Sequence, residues 1–125
     1  LFPFPVYAID YVSDEKQMAR LYNAVDAYVT PSLEDNLPNT IVEALSCGVP
    51  CVGFNVGGIP EMIDHRKNGY LAEARNAEDL AEVILETASR EELSAHAVHS
   101  ALANYGETNV ASKYIAVYKR ASEKR

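Results

Sequence analysis

Two carboxylates on either side of a loop-to-helix boundary are the side chains of this chain whose spacing best suits chemistry. Asp35 and Glu43 lie in the run SLEDNLPNTIVEALSCGVPCVGFNVGGIPE, which spans residues 32–61. A carboxylate presents two oxygens at about the spacing of a vicinal diol, so Glu43 can bind two neighbouring sugar hydroxyls, such as those of ribose. Asp35, in the loop, can hold the hydroxyls of another sugar. Spacing alone leaves a plainer alternative open, in which Glu43 only offsets the helix dipole and Asp35 only caps a turn.

The backbone between these acids suits a phosphate. A polar loop enters a helix at Asn39 or Thr40, where unpaired N–H groups and the helix dipole favour an anion. Pro38 has no amide hydrogen to donate. The residues whose amides we expect to meet phosphate oxygens are Asn36, Leu37, Asn39 and Thr40.

A second tight loop follows the next apolar run. Gly57 and Gly58, with Pro60 shortly after, are typical of a turn that directly follows a strand. Two such loops side by side predict a pocket for a nucleotide diphosphate. A diphosphate usually takes a Lys or Arg as well, and the basic residues nearest the two loops are Arg66 and Lys67.

Composition and charge argue against several classes of partner. The chain has 125 residues, with 18 acidic and 11 basic side chains and a net charge of −7 at pH 7, which disfavours nucleic acid and anionic membranes. The opening LFPFPV is too short to span a bilayer. Cys47 and Cys51 form neither a disulfide framework nor a zinc quartet, and His96 and His99 lack an evident third ligand. We therefore predict no metal site and a reduced, cytoplasmic location.

The elements that must position these residues alternate along the chain. We expect strands at residues 6–8, 27–30, 51–54 and 70–71. We expect six helices. Two are capped by Ser13 and Asn76, and one begins with a capping box of Ser89 and Glu92. The others lie at residues 40–47, at Pro60 and after Thr108. The last helix is expected to direct its apolar face into the core, namely Val110, Tyr114, Val117 and Tyr118. This alternation predicts an α/β fold with a parallel sheet, in which ligands bind beyond the carboxyl ends of the strands.

The order of the motifs resembles that of one enzyme family. The chain reads LYNAVDAYVTPS, then DNLPNTIVEA, CGVPCVG, GGIPE and NGY. This order closely resembles the C-terminal half of the family-four retaining glycosyltransferases, which have the GT-B fold. The resemblance covers roughly residues 6–83. It implies a Rossmann-like three-layer sandwich with a parallel sheet, truncated at its N-terminal strands, and makes residues 1–125 a partial nucleotide-sugar-binding domain.

The same resemblance assigns roles to the acid pair by position. Asp35 takes the place of the family's first Glu, which with the amides after it holds the transferred sugar and the diphosphate. Glu43 takes the place of the second Glu, which binds the ribose hydroxyls of the donor. We therefore predict Asp35 and Glu43 as the catalytic-site residues. Residues 36–38 read Asn-Leu-Pro where the family has a glycine-rich loop, so one amide donor is lost.

The remaining predicted contacts concern the nucleotide base and the closure of the pocket. Tyr11 and Val12 match the segment whose backbone meets the base, and Gly57 and Gly58 match the loop that helps close the pocket. The family's Arg and Lys for the diphosphate charge lie before the first residue of this chain, as does its acceptor-binding N-terminal domain. The chain alone is therefore expected to be inactive.

The resemblance implies a sugar-nucleotide-dependent enzyme that retains configuration at the anomeric carbon and needs no metal or other cofactor. Its expected partners are a nucleotide-sugar donor and a glycan, lipid-linked or polysaccharide acceptor, with polysaccharide biosynthesis as a family-level expectation. Peripheral membrane association of the full-length protein and self-association through an exposed sheet edge are further predictions. The alternative is a non-catalytic sugar-nucleotide-binding, regulatory or interaction module of the same fold.

Overall fold

Within residues 2–123, which the computed structural model describes, three short apolar runs form one parallel sheet. Its strands are β1 (Tyr28–Thr30), β2 (Cys51–Phe54) and β3 (Gly69–Ala72). β2 lies between the other two, with Val52 opposite Val29 on one side and opposite Tyr70 on the other. All of β2 is buried, as a central parallel strand covered on both faces requires. The predicted parallel sheet is confirmed.

Helices follow the strands in the predicted alternation. In the described range they are α1 (Glu15–Tyr22), α2 (Asn39–Ser46), α3 (Ile59–Met62), α4 (Ala77–Ala88), α5 (Glu92–Tyr105) and α6 (Glu107–Glu123). Asn76 starts α4 as predicted, because its side-chain oxygen accepts the N–H of Asp79 at 3.0 Å. Pro60 lies in the first turn of α3, where its missing N–H is not needed.

The helices cover both faces of the sheet. Side chains alternate along β2, so Cys51 packs into a buried cluster with Leu45 of α2, whereas Val52 and Phe54 pack into a second cluster with Val83 of α4. α5 contributes to both clusters, and it packs along α2. The result is the predicted three-layer arrangement of helix, sheet and helix.

Two predicted helix caps are wrong. α1 is capped by Asp14 and not by Ser13, because Asp14 has the extended backbone of an N-cap (φ −84°, ψ 118°) and its carboxylate accepts the N–H of Gln17 at 2.7 Å. Ser89 does not form a capping box with Glu92. α4 continues to Ala88, so Ser89 ends that helix with helical backbone angles, and its hydroxyl donates to the carbonyl of Glu86 at 2.8 Å.

The predicted strand at residues 6–8 does not form. This segment has no regular structure, and its large apolar side chains, Val6 and Tyr7, are exposed. A short apolar run makes a strand only where a neighbouring backbone pairs with it. In the described part of the chain the sheet consists of β1, β2 and β3 alone.

The apolar face of α6 is also predicted wrongly. Tyr114, Val117 and Tyr118 are more than half exposed, and Val110 is half-buried. Helical spacing identifies an apolar face, but it carries no information on whether another element covers that face. Among the described residues, no helix combines the length and the hydropathy needed to cross a bilayer.

Candidate functional site

The loops that follow β1 and β2 meet at the carboxyl edge of the sheet. The N–H of Gly58 donates to the carbonyl oxygen of Asp35 at 3.0 Å. The two strands are parallel neighbours, so their carboxyl ends lie side by side and bring both loops to one place. We call this contact between residues 35–36 and Gly57-Gly58 the loop junction. It confirms that the two predicted loops are adjacent.

Main-chain atoms build the loop junction. A Cβ atom on Gly57 would overlap the carbonyl oxygen of Asp35, and a Cβ on Gly58 would overlap that of Asn36. Gly57 also has φ +54°, a conformation that strains other residues. Both glycines are therefore required by close backbone approach.

The helix that leaves this junction starts without a side-chain cap. Pro38 occupies the N-cap position of α2 and makes no capping hydrogen bond. The N–H of Ile41 donates to the carbonyl of Pro38 at 3.1 Å, so the amides of Asn39 and Thr40 are the ones that can meet solvent or a ligand. Of the residues predicted to bind phosphate through their amides, the structure exposes all four: Asn36, Leu37, Asn39 and Thr40. Asp35 is half-buried.

Glu43 lies one turn further along α2 and lines a cavity of about 450 Å³ between α1 and α2. Tyr11 and Val12, the predicted base-binding segment, line the same cavity. Its remaining wall includes Met18, Tyr22, Val42 and Cys47. The structure therefore brings together three of the predicted site residues, which come from a loop and a helix well separated in sequence.

A hydrogen bond fixes the carboxylate in this cavity. The hydroxyl of Tyr22 donates to Oε2 of Glu43 at 2.9 Å. Tyr22 is only 7% exposed. Burial and the hydrogen bond to Glu43 raise the pKa of the Tyr22 phenol far above its usual value, so Tyr22 acts as a neutral donor. Sequence reasoning missed this contact, because Tyr22 and Glu43 are 21 positions apart.

The predicted site residues thus fall into two neighbouring groups. The cavity holds Tyr11, Val12 and Glu43, whereas the loop junction and the start of α2 hold Asp35, Asn36, Leu37, Asn39, Thr40, Gly57 and Gly58. α2 connects the groups because it begins at the junction and carries Glu43 into the cavity wall.

Arg66 and Lys67, the basic residues identified from the sequence, lie away from the two loops. Lys67 pairs with Asp64 at 2.8 Å in the segment that precedes β3, and Arg66 lies beside it. That segment is at the amino end of β3, and Lys67 lines a separate cavity with the exposed His96 and His99. Within residues 2–123, no group of three or more His, Cys, Asp or Glu side chains is arranged to hold a metal ion.

A family profile matches most of the chain. Residues 5–90 match the profile described as Glycosyl transferases group 1. This range contains both the cavity and the loop junction.

Curated relatives are about 30% identical to this chain over the aligned residues. N-acetyl-alpha-D-glucosaminyl L-malate synthase of Bacillus anthracis is 30% identical over 112 residues, which is 86% of this chain and 29% of that protein. N,N'-diacetylbacillosaminyl-diphospho-undecaprenol alpha-1,3-N-acetylgalactosaminyltransferase of Campylobacter jejuni is 31% identical over 117 residues, which is 90% of this chain and 31% of that protein. The chain therefore spans less than a third of the length of these relatives.

Solved structures share the fold. Sucrose-phosphate synthase from Thermosynechococcus elongatus superposes with a TM-score of 0.76 at 22% identity, over 88% of this chain and 29% of that one. HepE of Anabaena, solved in complex with UDP, gives a TM-score of 0.72 at 24% identity, over 81% of this chain and 29% of that one. These neighbours are GT-B proteins, and they confirm the predicted Rossmann-like α/β fold.

Proposed function

Because the chain belongs to the glycosyl transferases group 1 family, we propose that it forms the nucleotide-sugar-binding part of a retaining glycosyltransferase. The observation that carries the proposal is the placement of Glu43. Its carboxylate, held by Tyr22 at 2.9 Å, lines a cavity of about 450 Å³ with Tyr11 and Val12. A cavity of this size is typical of small-molecule sites, which combine apolar walls with a few placed polar groups.

In the proposed complex, the nucleoside occupies the cavity. The carboxylate of Glu43 accepts hydrogen bonds from the ribose hydroxyls, since two carboxylate oxygens match a vicinal diol. The base lies along Tyr11 and Val12 at the mouth, where Tyr11 is almost fully exposed and free to meet it. The fold neighbour HepE was solved with UDP, which makes UDP the first nucleotide to test.

The diphosphate is proposed to lie at the loop junction. There the uncapped first turn of α2 offers amides and the positive end of its dipole to an anion. Asp35, beside these amides, would hold the hydroxyls of the transferred sugar. Arg66 and Lys67 lie at the amino end of β3, opposite the edge that carries the loop junction. We therefore propose that the remaining positive charge comes from a part of the intact protein outside this chain.

The proposed reaction transfers the sugar with retention of configuration. The bond from the anomeric carbon to the diphosphate oxygen breaks, the oxygen of the acceptor hydroxyl forms its new bond to that carbon on the same face, and the hydroxyl proton passes to the leaving diphosphate. Amides at the start of α2 would stabilise the negative charge that develops on the leaving diphosphate. We propose that no metal ion or other cofactor is required. Lys and Arg side chains of the intact protein would supply the positive charge that balances the diphosphate.

We propose that the acceptor, a glycan, lipid-linked or polysaccharide molecule, binds to a part of the intact protein outside this chain. The chain by itself would then bind the donor without transferring the sugar. A cytoplasmic location and a role in polysaccharide biosynthesis complete the proposal.

The test is an amide-resolved NMR titration of the chain with UDP, GDP and ADP, with calorimetry on the intact protein in parallel. We expect one nucleotide to shift the amide signals of the cavity and the loop junction, including Val12, Glu43 and Gly58. Inorganic phosphate serves as the control, and it should affect only the start of α2. If no nucleotide binds either the chain or the intact protein, the proposal is wrong.

An activity assay distinguishes the non-catalytic alternative from the proposed enzyme. The intact protein is incubated with a nucleotide sugar and with cell extracts that supply acceptors. If it binds the nucleotide sugar but neither transfers nor hydrolyses the sugar, the chain is a binding module and only the donor-site proposal stands. Sugar transfer by the intact protein that is lost in Glu43→Ala supports the enzyme.

A further inference from the structure

The hydrogen bond between Tyr22 and Glu43 joins two helices across the wall of the cavity. The Tyr22 hydroxyl donates to Oε2 of Glu43 at 2.9 Å, although the residues are separated by 21 positions in sequence. We propose that Tyr22 is a positioning residue that orients Glu43 for ribose and so makes the site selective for ribonucleotides over deoxyribonucleotides. This inference rests on the proposed function, because it requires a nucleotide in the cavity.

Glu43 needs such a support. It is exposed on α2, and a glutamate with free side-chain torsions in water samples many rotamers. Binding a diol through both carboxylate oxygens demands one rotamer and one orientation of the carboxylate plane. A partner that selects this orientation before the ligand arrives lowers the entropic cost of binding.

Tyr22 is itself held rigidly. It is the last residue of α1, is 7% exposed, and belongs to the buried cluster that contains Leu45. Its ring meets that of Tyr28 in β1 edge to face, with centroids 5.9 Å apart. The hydroxyl therefore has a fixed position, because the ring that carries it packs against Tyr28 of the sheet.

The chemistry of the pair leaves Glu43 available for a ligand. A neutral phenol has one hydrogen to donate, and the only role open to a carboxylate is to accept it. Two carboxylate oxygens provide about four acceptor positions, of which Tyr22 occupies one. The others remain on the side of the cavity for the 2′- and 3′-hydroxyls of ribose.

The chain offers a matched control. Tyr70 is 1% exposed, and its hydroxyl donates to Glu86 at 2.8 Å, so it also joins a buried phenol to a glutamate on a helix. Tyr70 packs in the other buried cluster, with α4, and does not line the cavity. Tyr22→Phe and Tyr70→Phe each remove one such hydroxyl, but only the first is expected to affect ribose recognition.

The experiment measures Kd by calorimetry on the intact protein for UDP, GDP and ADP, each beside its 2′-deoxy form. For the nucleotide that binds, we expect Tyr22→Phe to weaken the ribonucleotide roughly tenfold, the scale of one hydrogen bond to a charged group. The 2′-deoxy form should change little, so the preference for ribose largely disappears. Tyr70→Phe should leave both constants and their ratio unchanged.

The outcomes separate this inference from the proposed function. Equal weakening of both forms by Tyr22→Phe, or no change in either, overturns the positioning role while nucleotide binding by the wild type still supports the donor site. If the wild type binds no nucleotide, both the donor site and the positioning role are wrong.

A second measurement tests the contact without ligand. The ¹³Cζ chemical shift of Tyr22 is measured by NMR at pH 7 in the wild type and in Glu43→Ala. Since the hydroxyl of Tyr22 donates to Oε2 of Glu43, removing that acceptor should change the chemical shift. Identical shifts would show that the contact is absent in solution and would overturn the inference.

Discussion

The cavity and the loop junction are neighbouring parts of one candidate site, but they are built from different atoms. The cavity depends on side chains, above all the Tyr22 hydroxyl and the Glu43 carboxylate. The loop junction depends on main-chain oxygens of residues 35 and 36 and on the absence of side chains at Gly57 and Gly58. Substitutions in the cavity should therefore change ligand binding at little cost to folding, whereas added side chains at the junction should damage the fold.

The largest effect is expected from Gly58→Ala. The new Cβ would overlap the carbonyl oxygen of Asn36, and the loops would have to separate. We expect the free energy of unfolding to fall by ~3 kcal/mol, as in over-packed cores. Urea unfolding followed by circular dichroism measures it. Asn55→Ala, at an exposed position of the same loop, is the control. Equal stability of the two variants would remove the contrast between the junction and the cavity.

Glu43→Gln should produce the opposite pattern. We expect nucleotide affinity to fall by about 2 kcal/mol, because the charge that strengthens the ribose hydrogen bonds is lost. The free energy of unfolding should stay within about 0.5 kcal/mol, since Glu43 is exposed and the Gln oxygen can still accept from Tyr22. Calorimetry and urea unfolding give the two quantities. Glu34→Gln, an exposed carboxylate in the nearby loop, should change neither.

Thiol labelling compares the open cavity with the closed core beneath it. Cys47 lines the cavity and is half-buried, whereas Cys51 is fully buried, and burial raises the pKa of its thiol to about 12. At pH 8 we expect iodoacetamide to label Cys47 and to spare Cys51. Bound nucleotide should slow labelling of Cys47 severalfold. Peptide mass spectrometry reads each site, and unchanged labelling of Cys47 under saturating nucleotide would place the ligand outside the cavity.

The smallest effect is expected at a surface network remote from both regions. Hydrogen bonds from Tyr70 and Arg90 hold the pKa of Glu86 below its ordinary value of 4.5. A lowered pKa contributes stability above pH 4.5, and that stability disappears as the pH falls through the folded-state pKa. The stability difference between wild type and Glu86→Gln should therefore shrink from pH 7 to pH 3. A constant difference in urea unfolding would contradict this.

The parts of the fold that depend on local pattern were predictable. β2 spans residues 51–54 as predicted, because a run of four apolar residues between turn residues favours a buried strand. α4 begins at Asn76 because its cap is a local hydrogen bond. The adjacency of the two loops was also predictable, since neighbouring parallel strands end at the same edge of the sheet. The roles of Asp35 and Glu43 in ligand binding stay predictions.

The features that the sequence did not predict correctly depend on interactions between distant segments. The contact from Tyr22 to Glu43 depends on how α1 and α2 pack, which no spacing within either helix encodes. The apolar residues 6–8 pair with no strand within residues 2–123, and most of the apolar face of α6 is exposed to solvent. In each case the sequence defines what a segment can contact, while packing decides what it does contact.

The main-chain character of the loop junction also bears on evolution. Asp35 and Asn36 meet the glycine loop through carbonyl oxygens, which every amino acid possesses. A gene for this chain can therefore accumulate substitutions at these positions while the first loop keeps its place beside Gly58. A change of side chain at position 35 therefore leaves the backbone scaffold beneath it intact.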